Sequence, residues 1–104
     1  MIKFTTVLGT DGKITQFTVD GHSGFAKSGE DIVCASVSSV VWLTINGIEK
    51  QNLAKLNYEE RDGFVTCTIS DKKDSGADVL LDSMVMFITE LSSQYKKYLK
   101  FTQK

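Results

Sequence analysis

The chain has 104 residues, 41% of them hydrophobic and 24% charged, with a formal net charge of −1 and a pI of about 5.7. These values predict a single globular domain over residues 1–104 and argue against a direct nucleic-acid partner, which usually requires a basic excess. Four C-terminal lysines (Lys96, Lys97, Lys100 and Lys104) are interpreted as a helix end that complements its own dipole.

No uninterrupted apolar run approaches the roughly 20 residues that a membrane span needs. The first nine residues, MIKFTTVLG, lack the charged and apolar regions of a signal peptide. We therefore expect a cytoplasmic protein without a membrane partner, in which Cys34 and Cys67 stay reduced.

The first two predicted elements form a hairpin. Residues Ile2 to Leu8 are rich in β-branched and aromatic side chains, and residues Ile14 to Asp20 alternate between apolar and polar. The dipeptide Asp11-Gly12 lies between them, which is typical of a tight hairpin turn.

The third element, Asp31 to Gly47, is predicted as a helix, although VVWLTI within it also suits a strand. Glu30 or Asp31 is a candidate N-cap and Asn46-Gly47 a candidate stop. Apolar side chains lie almost all round this helix, with Ile32, Trp42 and Leu43 opposite the main stripe, so we expect it to be covered on more than one side. The main stripe has helical spacing: Val37, Val40, Val41, Thr44, Ile45 and Ile48.

Two more strands, Leu53 to Tyr58 and Phe64 to Ile69, are predicted on either side of a polar turn, Glu59 to Gly63. In the second of them Cys67 shares a face with Val65 and Ile69. Cys67 is therefore interpreted as a buried small hydrophobe.

The last predicted element is a long helix from Ser75 to about Leu99, with Ser75 and Asp78 as a variant capping box. Val79 and Met86 point away from its apolar stripe, which suggests a partner surface. The order β-β-α-β-β-α predicts an α+β domain: a two-layer sandwich with a mainly antiparallel sheet covered by two helices.

The segment Gly21 to Ser36 places the only histidine and one cysteine at the two ends of a glycine-rich loop. Cys34 falls in the first turn of the predicted helix, where the positive end of the dipole favours the nucleophilic thiolate. His22 lies on the loop before the helix and is a natural base for a thiol, because imidazole titrates near neutrality. The helix start also offers N–H groups to an oxyanion.

These residues also have plainer interpretations. A histidine and a cysteine twelve positions apart, like His22 and Cys34, occur by chance in many proteins. Asp31 is either an N-cap or a charge that orients His22. Ser38 either hydrogen-bonds near the thiol or bonds back to its own helix, and Phe25 either lines a substrate cleft or packs into the core. The histidine and cysteines lack the spacing of zinc ligands, and no metal or cofactor is predicted.

The stretch Gly21-His22, followed by GEDIVCA (29–35) and Val37-Ser38, resembles the signature of the ribosomal-processing cysteine protease family, Prp. The resemblance covers essentially the whole chain. It implies a Cys34 nucleophile and a His22 base, and it adds Gly21 and Ser23 to Phe25, Asp31 and Ser38 as candidate supporting or substrate-binding residues. Ser23 and Ser36 stand where many relatives are expected to have alanine.

The resemblance implies a homodimeric cytoplasmic endopeptidase. Its expected substrate is the precursor of large-subunit ribosomal protein twenty-seven, from which it removes the N-terminal extension after a hydrophobic, aromatic motif. The alternative is a non-catalytic ribosome-assembly or protein-binding module, in which Cys34 is structural.

Overall fold

The computed structural model describes residues 1–21 and 31–104. Within these residues the elements follow the order β-β-α-β-β-α-β and comprise a five-stranded sheet and two helices. The strands are β1 (Ile2–Leu8), β2 (Ile14–Asp20), β3 (Lys55–Arg61), β4 (Phe64–Ser70) and β5 (Leu99–Gln103), and the helices are α1 (Ile32–Lys50) and α2 (Gly76–Gln94). The predicted α+β class is confirmed.

The sheet has the order β3-β4-β2-β1-β5 and is antiparallel except where β5 runs parallel to β1. The bounds of β1 and β2 are those predicted. In the turn between them, the Lys13 N–H donates to Asp11 Oδ1 at 2.9 Å. Gly12 adopts a φ of +77°, a conformation that favours glycine. Local turn chemistry therefore determines this hairpin.

Strand β3 starts and ends later than predicted. Leu53 belongs to the connection after α1, where its N–H donates to the Ile48 carbonyl at 3.0 Å. The charged residues 59–61 continue the strand, and only Asp62-Gly63 turns the chain, with Gly63 at φ +71°. Charged side chains are compatible with this position because β3 is an edge strand.

The core lies between the sheet and the helices. Strand pairing places Phe4, Phe17 and Cys67 on one face of the sheet, and all three side chains are buried. They join one apolar cluster with residues of both helices, such as Val37 and Leu81. One face of β1, β2 and β4 is thus committed to packing against the helices.

Helix α1 confirms the predicted stripe: Val37, Val41, Thr44, Ile45 and Ile48 are buried and Val40 is half-buried. Ile32 and Leu43 on the other side are exposed. The helix does not stop at Gly47 but continues to Lys50. A Cβ at Gly47 would lie 3.3 Å from Leu80 Cδ1, so this glycine serves the close approach of α1 to α2.

By length and composition alone α1 also meets the criterion for a membrane-spanning helix, although its apolar residues do not form one uninterrupted run. Core helices pass the same test. Six of its residues are buried within the molecule, among them Val33, Val37 and Ile45. This packing gives its apolar composition an explanation inside the fold.

The predicted end of the last helix is wrong. Helix α2 ends at Gln94, the chain turns at residues 95–98, and Leu99 begins β5. Strand β5 was missed because Leu99 continues the helical stripe, yet its register beside Ile2 buries it in the sheet. The lysines are therefore not a helix terminus: Lys96 and Lys97 lie in the turn and Lys100 on β5.

The predicted capping box at the start of α2 is also wrong. Ser75 occupies the N-cap position but its side chain makes no capping hydrogen bond. Asp74 accepts from the Gly76 N–H instead, at 2.8 Å, and Asp78 pairs with Lys72 at 2.7 Å. The Lys72 ammonium also donates to the Ile14 carbonyl at 3.0 Å, which ties the start of α2 to the sheet.

Candidate active site

Asp31 fixes the start of α1 and thereby the position of Cys34. The backbone N–H groups of Val33 and Cys34 donate to Asp31 Oδ1 at 3.0 and 2.9 Å, and the Asp31 side chain is 7% exposed. This is the N-cap predicted from the sequence. The cap sets Cys34 in the first helical turn, as predicted, and the structure leaves this residue half-buried.

The same hydrogen bonds change the expected electrostatics of this helix start. Ala35 N–H donates to the Asp31 carbonyl at 3.1 Å, so the N–H groups of residues 33, 34 and 35 are all engaged by Asp31. The expectation that they are open to a substrate oxyanion is therefore wrong for these three. The carboxylate also places a negative charge at the positive end of the helix dipole.

Cys34 lines a cavity of about 260 Å³ between the start of α1 and one end of the sheet. Gly21 and Ser38, two of the other predicted site residues, line it as well. The remaining walls come from Trp42 of α1, from the turn between β3 and β4, and from apolar residues beneath. These further lining residues are Ile2, Val19, Val37, Glu60, Arg61, Asp62, Gly63, Phe64 and Val65.

Gly21 directly follows β2 and lines this cavity. Its backbone position requires glycine. Its φ is +98°, and a Cβ there would lie 2.5 Å from the Met1 carbonyl oxygen. Its N–H donates to the Gly63 carbonyl at 2.7 Å, which joins the end of β2 to the turn between β3 and β4. Gly21 thus joins the end of β2 to the Met1 backbone and to the turn between β3 and β4.

Three of the predicted site residues, His22, Ser23 and Phe25, lie outside the described residues. The pairing of His22 with Cys34 accordingly stays a prediction, as do the roles of Ser23 and Phe25. Of the two residues that flank this segment, Gly21 lines the cavity and Asp31 is the N-cap of α1.

Sequence reasoning missed Trp42 and the turn between β3 and β4 as parts of this site. Trp42 follows Cys34 by eight positions, two turns along the same helix, and this spacing was the available signal. The turn could not be found in this way, because Glu60 to Phe64 reach the cavity through strand pairing. Beside the turn, the guanidinium of Arg61 at the end of β3 lies 4.3 Å from the centroid of the Phe64 ring at the start of β4.

The two cysteines have different surroundings. Cys67 is fully buried in the core, as predicted, and burial raises the pKa of its thiol to about 11. Cys34 is half-buried and lines the cavity. Nucleophilic chemistry needs an accessible thiolate, so Cys34 is the thiol placed to react. Within residues 1–21 and 31–104, no group of three or more His, Cys, Asp or Glu side chains is arranged to hold a metal ion.

The chain is similar to known proteins along nearly its whole length. The family model described as "Cysteine protease Prp" matches residues 1–100. The chain is 26% identical over 106 residues to "Ribosomal processing cysteine protease Prp" of Staphylococcus aureus strain Mu50, with 100% of both chains covered. It is 27% identical over 112 residues to the protein of the same name from Bacillus subtilis strain 168, covering 98% of this chain and 96% of that one.

The fold matches a crystal structure of an essential ribosomal processing protease Prp from S. aureus in complex with a covalently linked product peptide. The TM-score is 0.94 at 24% identity, and both chains are covered completely. The crystal structure of SMU.848 from Streptococcus mutans matches with a TM-score of 0.80 at 25% identity, over 99% of this chain and 96% of that chain. Because the family model matches nearly the whole length of the chain, the chain belongs to the cysteine protease Prp family and is a cysteine protease.

Proposed function

We propose that this chain is a ribosomal-processing endopeptidase. It removes the N-terminal extension from the precursor of large-subunit ribosomal protein twenty-seven, after a hydrophobic, aromatic motif. The observation that carries the proposal is the place of Cys34, half-buried in the first turn of α1 and lining a cavity of about 260 Å³. The names of the S. aureus and B. subtilis relatives support ribosomal processing as the task.

The proposed reaction is peptide hydrolysis through a thioester. His22 takes the proton of the Cys34 thiol, and the sulfur attacks the scissile carbonyl carbon. As the tetrahedral intermediate collapses, the C–N bond breaks and His22 protonates the leaving amine. Water then attacks the thioester, with His22 as base, and releases the new carboxyl group and the free thiol.

Cleavage of the unprocessed precursor, followed by mass spectrometry of the products, tests this function. Cys34→Ala should abolish cleavage, and its melting temperature should stay close to that of the native chain because the side chain is only half-buried. Cys67→Ala is the matched control at the other thiol. A Cys34→Ala variant that still cuts would remove Cys34 as the nucleophile.

Thiol alkylation separates the protease from the rival interpretation, a non-catalytic ribosome-assembly or binding module. A nucleophilic Cys34 should react with iodoacetamide at neutral pH much faster than Cys67, whereas a structural Cys34 should not. His22→Ala should slow the reaction of Cys34. Unchanged alkylation kinetics in His22→Ala would remove His22 as the base.

The homodimer is also part of the proposal. A groove between α1 and α2 is lined almost entirely by apolar groups, including Leu43, which is 73% exposed. Met86, 72% exposed, lies on the same helix layer. We place the dimer contact there, and light scattering should show a dimer that Leu43→Glu converts to a monomer. A monomeric native chain at micromolar concentration contradicts it.

We propose that the enzyme acts in the cytoplasm, where a precursor of a ribosomal protein is made. Cell fractionation with an antibody against the chain tests this location, and enrichment in the membrane fraction would contradict it.

A further inference from the structure

One row of side chains on α1 leads away from the thiol. Cys34, Ser38 and Trp42 are spaced four residues apart and line the same cavity. Residues four apart share a helix face, and an α-helix rises about 1.5 Å per residue. The backbone of Trp42 therefore lies about 12 Å along the helix axis from that of Cys34.

The indole of Trp42 packs against an aromatic side chain of β3. Its ring lies edge-on to the ring of Tyr58 on β3, with centroids 5.7 Å apart and planes at 78°. The Tyr58 hydroxyl in turn donates to Glu49 Oε1 at 3.4 Å. The negative charge of Glu49, followed by desolvation, raises the pKa of Tyr58 above its ordinary value, which already keeps the hydroxyl protonated at neutral pH. We call these three residues the Trp42 cluster.

We propose that Trp42 is a specificity-determining residue, which contacts an aromatic or large aliphatic side chain of the substrate three or four residues from the scissile bond. Tyr58 is the positioning residue that holds the indole. The proposal rests on the proposed function, with Cys34 as nucleophile. An extended peptide advances about 3.3 Å per residue, so the 12 Å between Cys34 and Trp42 corresponds to three or four residues.

The chemistry of the cavity favours an apolar rather than a charged substrate side chain at this position. The acidic side chains that line it, Glu60 and Asp62, are exposed to solvent, where ion pairs contribute little. The Arg61 guanidinium already lies over the Phe64 ring. Trp42 adds a large aromatic surface to the cavity beside Phe64 and the aliphatic lining, and aromatic rings gain most from apolar and aromatic partners.

Fluorescence tests binding without relying on cleavage, because Trp42 is the only tryptophan of the chain. The Cys34→Ala variant is titrated with an uncleaved peptide that spans the cleavage site of the precursor. Emission should shift to shorter wavelength as the peptide covers the indole. A set of variant peptides carries alanine at one position each, the third or fourth residue on either side of the scissile bond. One of these peptides should bind without the emission shift.

Kinetics with the native thiol test specificity. Trp42→Ala should lower kcat/KM for the parent peptide about tenfold, the scale of a lost apolar contact in a substrate pocket. For the peptide whose alanine removed the fluorescence shift, Trp42→Ala should have little further effect. Tyr98→Ala, a half-buried aromatic residue outside the cavity, is the matched control for general destabilisation.

The positioning role of Tyr58 has its own readout. Tyr58→Phe keeps the ring against Trp42 but removes the hydroxyl that donates to Glu49, so KM should rise while kcat stays unchanged. Glu49→Gln keeps an acceptor for the hydroxyl and should leave KM near the native value. An equal fall of kcat in both variants, with lower melting temperatures, would reduce the cluster to a packing role.

Three results overturn the inference: no emission shift with the bound parent peptide, no loss in Trp42→Ala, or the same loss for every peptide. The rate of Cys34 alkylation distinguishes this failure from failure of the proposed function. If Trp42→Ala leaves alkylation and kcat/KM unchanged, only the specificity role is lost. If Cys34 is unreactive in the native chain, the protease mechanism itself fails.

Discussion

The N-cap of α1 links the stability of the fold to the position of the nucleophile. Asp31 accepts two backbone hydrogen bonds from a largely buried site, one of them from the N–H of Cys34 itself. Replacing a capping side chain by alanine costs about 0.5–2 kcal/mol, and the two bonds place Asp31→Ala near the upper part of that range, about 1.5 kcal/mol. With an unfolding entropy of about 2.1 cal/mol/K per residue, this corresponds to a melting temperature lower by about 7 °C.

Thermal unfolding at pH 7 measures the effect, and Asp31→Asn is the matched control. Asparagine keeps the acceptor oxygen and caps about as well as aspartate, so its loss should stay within about 0.5 kcal/mol. Hydrogen exchange at Val33 and Cys34 should be faster in Asp31→Ala than in Asp31→Asn. The reasoning is refuted if Asp31→Ala has the same melting temperature as the native chain. It is also refuted if Asp31→Asn loses as much stability as Asp31→Ala, because the effect would then come from the charge of Asp31.

Two further predictions concern the core thiol and the end of β2. Burial, with a smaller contribution from Glu49, raises the pKa of Cys67 to about 11, so the folded chain keeps a proton that the unfolded chain releases near pH 9. The free energy of unfolding should thus fall as the pH rises from about 9 to 11. Urea unfolding should show a smaller fall over this pH range in Cys67→Val than in the native chain. Equal falls in the two proteins would contradict this linkage. Gly21→Ala, with its Cβ 2.5 Å from the Met1 carbonyl, should lose at least twice the stability that Gly12→Ala loses. Gly12 has φ +77° but open space, so its change should cost about 1 kcal/mol. Equal losses in thermal unfolding would rule out the clash.

Local signals sufficed where a residue's own chemistry decides the structure. The bounds of β1 and β2 follow from alternation and from the Asp11-Gly12 turn, and the Asp31 cap follows from its place before an apolar helical run. Burial of Cys67 follows from its face on β4. Each of these depends on neighbours within a few residues, which the sequence displays directly.

Element ends and the fifth strand depended on distant partners. Gly47 looks like a helix stop, yet the approach of Leu80 from α2 gives a glycine there a packing reason. Leu99 extends the helical stripe of α2, yet its pairing opposite Ile2 makes it the first residue of β5. A pattern of apolar residues does not indicate which partner buries them. These boundaries could therefore be assigned only from the tertiary structure.

By itself, the sequence determined the family, the α+β class, the thiol at the start of α1 and its cap, because motif, periodicity and capping are properties of short segments. Tertiary structure decided what surrounds the thiol. It brought Trp42 and the turn between β3 and β4 to the cavity of Cys34, and it committed the first N–H groups of α1 to Asp31. The physical reason is that these neighbours meet through strand pairing and helix packing, across separations in the chain that no local pattern records.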